Sequence, residues 1–169
     1  MSDDISTLKR RLANQLDQSR QRLLDATKGV PSDQVINESW TLHDVLGHIA
    51  VWDLEAVRSL RAYNEGNEYS IPSLDFNDFS STDRYNQSAA DERAVWNEDQ
   101  IHEELESARE AFKQMIHEIP DDRYPGNMLF PWGPHGTIEQ LVIEMIIHEE
   151  EHAAAIQAVS GKAGSVDTD

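Results

Sequence analysis

"WTLHDVLGHIAVWDLEAVRSL", residues 40–60, decides the fold class of this chain. Val45, Ile49, Trp52, Ala56, Val57 and Leu60 recur mostly every three or four residues, the period of a helix with one buried face. Thr41 stands at the entry with Asp44 three residues on, as an N-cap requires. Gly66 closes the segment, so the spacing predicts a helix over residues 41–64. Three more segments carry the same period. Residues 3–28 place Ile5, Leu8, Leu12, Leu16, Leu23 and Leu24 on one stripe, stopped by Gly29 and Pro31. Residues 98–118 follow a cap at Asn97 and align Ile101, Leu105, Ala108, Phe112, Met115 and Ile116. Residues 137–159 open on Thr137 and align Ile138, Leu141, Val142, Met145, Ile146 and Ile156.

Between the second and third segments, residues 66–81 are polar and read as a loop with Pro72, followed by a short helix over 82–94. Residues 119–136 are rich in proline and glycine and form a second long connection. No alternating strand is expected. "NMLFPW", residues 127–132, comes nearest, and Pro131 weighs against it. The expected architecture is all-α: a four-helix bundle over residues 1–160, with long connections after helices two and three and a frayed polar tail over 161–169. Long crossovers of this kind let successive helices run parallel.

The chain has 169 residues and no cysteine, so disulfides, thiolate ligands and cysteine nucleophiles are excluded. A transition-metal site must then use His, Asp or Glu. A formal charge of −18 leaves no basic footprint for nucleic acid and disfavours an anionic membrane surface. No apolar run is long enough to span a bilayer and the first residues lack a signal-peptide layout, so a cytoplasmic location is expected. Arginine outnumbers lysine, ten to four, which together with the many acids suggests a salt-adapted host.

"HEEEH", residues 148–152, fits H-E-x-x-H, in which two histidines bind zinc and the glutamate is the general base of a protease. His148 and His152 are one helical turn apart on one face, and imidazoles so placed can share an ion. Such a protease takes a third ligand downstream, but no His, Glu or Cys follows His152. On this reading Glu149 is one of three consecutive glutamates, partly facing solvent. A third ligand from another helix fits better. His48 is the best placed, beside Val45, Ile49 and Trp52, with Gly47 permitting close approach of a neighbouring helix. His43 reads as a helix-start residue, His102 and His117 as surface residues, and His135 as a loop residue.

Trp40 to His48 ("W-x-x-x-D-V-L-G-H"), the later "H-x-x-x-H" and the small residues of "HEEEHAAAI" occur in an order that resembles the DinB-like superfamily. The resemblance covers about residues 5–160. It implies an up-down-down-up four-helix bundle and a divalent metal, nickel or zinc, held by His48, His148 and His152. The stretch "YNQSAADERAVW" looks like the branch that includes the DfsB-like and colibactin-resistance proteins. The resemblance also implies a homodimer acting on a small molecule, either as a transferase dependent on a low-molecular-weight thiol or as a hydrolase. A non-catalytic metal-binding or stress-response bundle is the alternative. Asp44 and Glu144, each one turn before a ligand, are candidates to orient the imidazoles. Trp52, Tyr85, Trp132 and His135 are candidate pocket residues.

Overall fold

The computed structural model describes residues 2–75 and 77–163. It is mainly helical: α1 (Ser2–Thr27), α2 (Leu42–Asn64), α3 (Ser80–Arg93), α4 (Glu98–Glu118) and α5 (Ile138–Ala163). The four long helices begin and end close to the limits that periodicity predicts, with one difference at the C-terminus. α5 continues to Ala163, so helix reaches into the first part of the expected tail. The rest of that tail, residues 164–169, lies outside the described residues.

Side chains set three of the helix starts. The Thr41 hydroxyl accepts from Asp44 N while an Asp44 carboxylate oxygen accepts from Thr41 N, a reciprocal capping box at the head of α2. Asn97 and Gln100 form the same box at α4. Thr137 and Gln140 form it at α5. Each box satisfies two backbone donors that the helix geometry leaves without a carbonyl.

Two small hairpins depart from the all-helical expectation. The first pairs β1 (Val35–Asn37) with β2 (Trp40–Thr41), turning through Glu38 at a positive φ of 44°. Its second strand runs straight into α2 and seats Trp40 ahead of it. The second pairs β3 (Met128–Leu129) with β4 (His135–Gly136). Pro131 lies in the turn beyond β3, where it removes no ladder bond, so the proline that weighed against a strand here ends one. Its carbonyl accepts from Ile71 N at 2.8 Å, tying the hairpin to the long loop after α2. Gly136 is required on β4: a Cβ there would stand 2.4 Å from the Phe130 ring. The Ser59 hydroxyl of α2 donates to the Leu129 carbonyl and anchors the hairpin's other strand.

Packing is most extensive between α2 and α4 and between α1 and α5. One core cluster gathers Leu12, Leu16, Leu60, Phe112, Ile116, Leu141 and Val142 with Met128 and Phe130 of the second hairpin. The other gathers Leu23, Val45, Leu46, Ile49, Ile101, Leu105 and Ile156. Gly47 faces a neighbour as expected: a Cβ there would meet Arg93 Cδ at 3.1 Å and Ile101 of α4 at 3.5 Å.

Candidate metal centre

α2 and α5 cross so that His48 faces His148 and His152. His48 Nε2 lies 2.9 Å from His148 Nε2, and His148 Nε2 lies 3.1 Å from His152 Nε2. One ligand atom from each of the three falls within 4.8 Å of the others. The rings stand edge to face, 4.7–4.9 Å between centroids, so three nitrogens converge without the rings stacking.

Hydrogen bonding alone does not account for this convergence. Neutral His148 Nε2 carries either one proton or one lone pair, yet two other ring nitrogens approach it. A divalent ion does account for it. Nitrogen ligands at about 2.0–2.1 Å from an ion stand roughly 2.9 Å apart at right angles and roughly 3.3 Å apart in a tetrahedron. The observed separations fit such a donor set, and three histidines of this chain can hold a metal ion.

Burial keeps the imidazoles in the form a metal needs. It pushes His48 down to about 2, and the neighbouring His148 and His152 add to the effect. Burial and then His152 push His148 down to about 4, against the opposing pull of Asp53. His152 is also lowered by burial, with Glu151 opposing. In the metal-free protein these shifts have a measurable consequence. The unfolded chain takes up protons on these groups below its ordinary value of 6.5, while the folded chain resists. Their contribution to stability is therefore complete above pH 6.5 and is lost as the pH falls from there towards 4. The urea midpoint measured with a chelator should drop between pH 7.5 and pH 5, and a flat midpoint would contradict the assignment.

Behind the triad lies a feature that the sequence reading missed. Asp53 and Glu149 are 0% and 1% exposed, and Arg109 and Arg20 are 2% and 8% exposed. Arg109 meets Asp53 at 2.9 Å and Glu149 at 2.9 Å, and Arg20 meets Asp53 at 2.8 Å and Glu149 at 2.9 Å. Two guanidiniums and two carboxylates thus close a buried quartet of zero net charge. Each long helix supplies one member: Arg20 from α1, Asp53 from α2, Arg109 from α4 and Glu149 from α5. Spare guanidinium protons go to the carbonyls of Leu16 and Leu105.

The quartet corrects the reading of Glu149 as partly solvent-facing. Glu149 lies one residue from His148, and helix geometry turns it some 100° away, into the core. Both of its oxygens accept from arginines, so it is not free to act as the base of H-E-x-x-H. The match to that motif is a coincidence of spacing.

A cavity of about 370 Å³ opens over the triad, lined by His48, His148, Trp52, Trp132, Met145, Thr82, Asn86 and Glu144. Trp132 reaches it from the second hairpin, and Thr82 and Asn86 reach it from α3. Trp52 Nε1 donates to Asn86 Oδ1 at 3.1 Å, which fixes that indole. Two of the expected pocket residues stand elsewhere. Tyr85 lies behind Trp52 at 6.0 Å between ring centroids, and its hydroxyl donates to the buried Glu55. His135 is exposed on the hairpin and pairs with Glu68 at 2.9 Å. Asp44 gives its carboxylate to the Thr41 cap rather than to an imidazole. Glu144 is exposed at the cavity wall. His102 and His117 are exposed on α4, as expected of surface residues. Thr82, Asn86 and Met145 were not singled out from sequence. Met145 is indistinguishable from the apolar stripe, and α3 has too weak a stripe to show which face it turns inward.

No curated protein and no solved structure gave a match to this chain. A family model described as the DinB superfamily matches residues 15–156, which include all three histidines and all four members of the quartet. The chain belongs to the DinB superfamily.

Proposed function

We propose that this protein binds one divalent metal, nickel or zinc, through His48, His148 and His152, and uses it as a transferase or hydrolase acting on a small molecule. The observation that carries this reading is the convergence of one buried and two half-buried imidazoles, two of which, His48 and His148, line a largely apolar cavity. When bound, a divalent ion supplies Lewis acidity sufficient to activate a water or a thiol near neutral pH. With no cysteine in the chain, any thiol must arrive as cofactor or substrate.

The protein's own groups do the rest. His48 is held between Trp40 and Trp52, whose rings pack edge-on at 5.1 and 6.2 Å, so its orientation is set before any ligand arrives. Trp52, Trp132 and Met145 exclude water from one side of the cavity. Glu144 stands at its edge, able to accept or return a proton.

The same reading takes the long helices in up-down-down-up order, and side-chain pairs support it. Arg11 with Glu139 and Arg20 with Glu149 advance together along α1 and α5. Gly47 with Ile101 and Asp53 with Arg109 advance together along α2 and α4. Lys9 at the Ile119 carbonyl and Arg20 at the Leu105 carbonyl run α1 against α4. Family membership supports a homodimer.

Elemental mass spectrometry on untagged protein tests the proposal. One equivalent of nickel or zinc per chain is expected. Absence of metal, even after incubation with either ion, would leave three structural histidines and remove the proposed chemistry.

A further inference from the structure

The wall of the cavity over the triad differs from two other cavities of similar size in holding no lysine or arginine. The groove between α1 and α4, about 440 Å³, has Arg20 and Arg109 in its lining beside Asp17, Glu106 and Glu110. The cavity between α2 and α3, about 390 Å³, has Arg58 and Arg93 beside Glu55 and Glu92. Among the described residues lining the triad cavity there is no lysine or arginine. Besides the two histidines, its one ionisable group is the Glu144 carboxylate. Two indoles form the broad surfaces, with Trp52 and Trp132 centroids 6.1 Å apart and tilted by 58°. The face of an indole attracts cations and gives an anion nothing to bind. The Trp52 N–H is already spent on Asn86, so the neutral donors left for an incoming carboxylate are the Trp132 indole N–H, the Asn86 amide and the Thr82 hydroxyl. For a ligand group held away from the metal, burial of an anion against apolar walls without a cationic partner is costly, and Glu144 adds repulsion. The net charge of −18 further depletes anions around the whole molecule.

We propose that this cavity takes an aryl-sized apolar group that is neutral or positively charged, and that it rejects carboxylate-bearing molecules, including acidic peptide-type thiols. The placement of the ligand's reactive end rests on the metal reading above, but the charge selection rests on Trp52, Trp132, Met145 and Glu144. Glu144 and the indoles act here on the part of the ligand remote from the metal.

Three probes share a head group and differ in remote charge: benzyl mercaptan, 4-(mercaptomethyl)benzylamine and 4-(mercaptomethyl)benzoate. Binding to zinc-loaded protein is read by quenching of tryptophan fluorescence and by calorimetry, after metal content has been measured. The benzoate should bind at least tenfold more weakly than the neutral thiol, and the ammonium compound should bind tightest. Glu144→Gln should narrow the ammonium-to-benzoate ratio several-fold, and Trp132→Ala should weaken the neutral and ammonium probes. Benzylammonium, benzyl alcohol and benzoate are titrated in parallel into chelator-treated protein, where the same order is expected. Equal affinities, a benzoate that binds tightest, or a ratio unmoved by Glu144→Gln would overturn the proposal. Loss of thiol binding together with absent metal, but with the charge order kept in the thiol-free set, would count against the metal reading alone.

Discussion

Glu149→Gln unfolds at a markedly lower urea concentration than the parent, with a loss of about 3–5 kcal/mol, the range for removing one partner of a buried ion pair. The size of the effect follows from balance. The quartet holds two positive and two negative groups at 0–8% exposure, so neutralising Glu149 strands one positive charge in the core. Burial pushes the Arg109 guanidinium down, yet Asp53 and Glu149 together hold it above its ordinary value, so it cannot shed its proton to escape. An amide in place of the carboxylate still offers one acceptor, but its NH₂ would face arginine donors. A double variant, Glu149→Gln with Arg20→Met, restores neutrality and should recover part of the loss. Equilibrium urea unfolding measures both. A protease reading of H-E-x-x-H makes the opposite forecast: unchanged stability and lost turnover. An unshifted midpoint in Glu149→Gln would therefore return the glutamate to the candidate bases.

His48→Ala is expected to abolish the proposed stoichiometric metal while leaving the helical fold intact. His148 and His152 lie on one helix and remain as a two-nitrogen pair, while the third donor comes from α2 and is lost. Removing one of three imidazoles should weaken binding by at least a hundredfold, since a closed site of three fixed donors becomes an open pair. The fold should survive because His48 makes no ion pair and its replacement leaves both capping boxes of α2 and α5 intact. Competition with a chromophoric chelator reads the affinity, and far-ultraviolet circular dichroism checks the fold. Full metal retention in His48→Ala would mean that the ion sits elsewhere.

The helices were legible because each long segment repeats an apolar residue at helical spacing and three of them open on a Thr or Asn paired with a residue three positions on. The hairpins were not, because strands of two or three residues are too short to show alternation. The three histidines could be brought together only by adding a family resemblance to the spacing, since a separation of 100 residues between His48 and His148 carries no periodic signal. The quartet did leave a trace. Arg20, Asp53, Arg109 and Glu149 each stand four residues after a buried apolar residue: Leu16, Ile49, Leu105 and Met145. Each therefore occupies a position that the stripe assigns to the core. A charge on a buried stripe announces a partner, but only the three-dimensional crossing of four helices says which one. Tyr85 and His135 stand away from the triad cavity for a related reason. Both lie in or next to connections whose path periodicity does not describe, and Glu55 and Glu68 draw them away from the cavity.

The quartet also bears on the order in which the chain assembles. Because each helix contributes a single charge, any three helices docked without the fourth enclose an odd number of charges and leave a net charge of plus or minus one in a forming core. Pairs divide: α1–α4 brings two guanidiniums together and α2–α5 two carboxylates, whereas the closely packed α1–α5 and α2–α4 pairs each join one guanidinium to one carboxylate and are neutral. Three-helix assemblies are thereby penalised relative to the complete fold, while the two neutral pairs are not. Joining the neutral α1–α5 and α2–α4 pairs would close the quartet without burying an unbalanced charge at any stage. Since His48 lies on α2 and His148 and His152 on α5, the three imidazoles meet only when those two neutral pairs join.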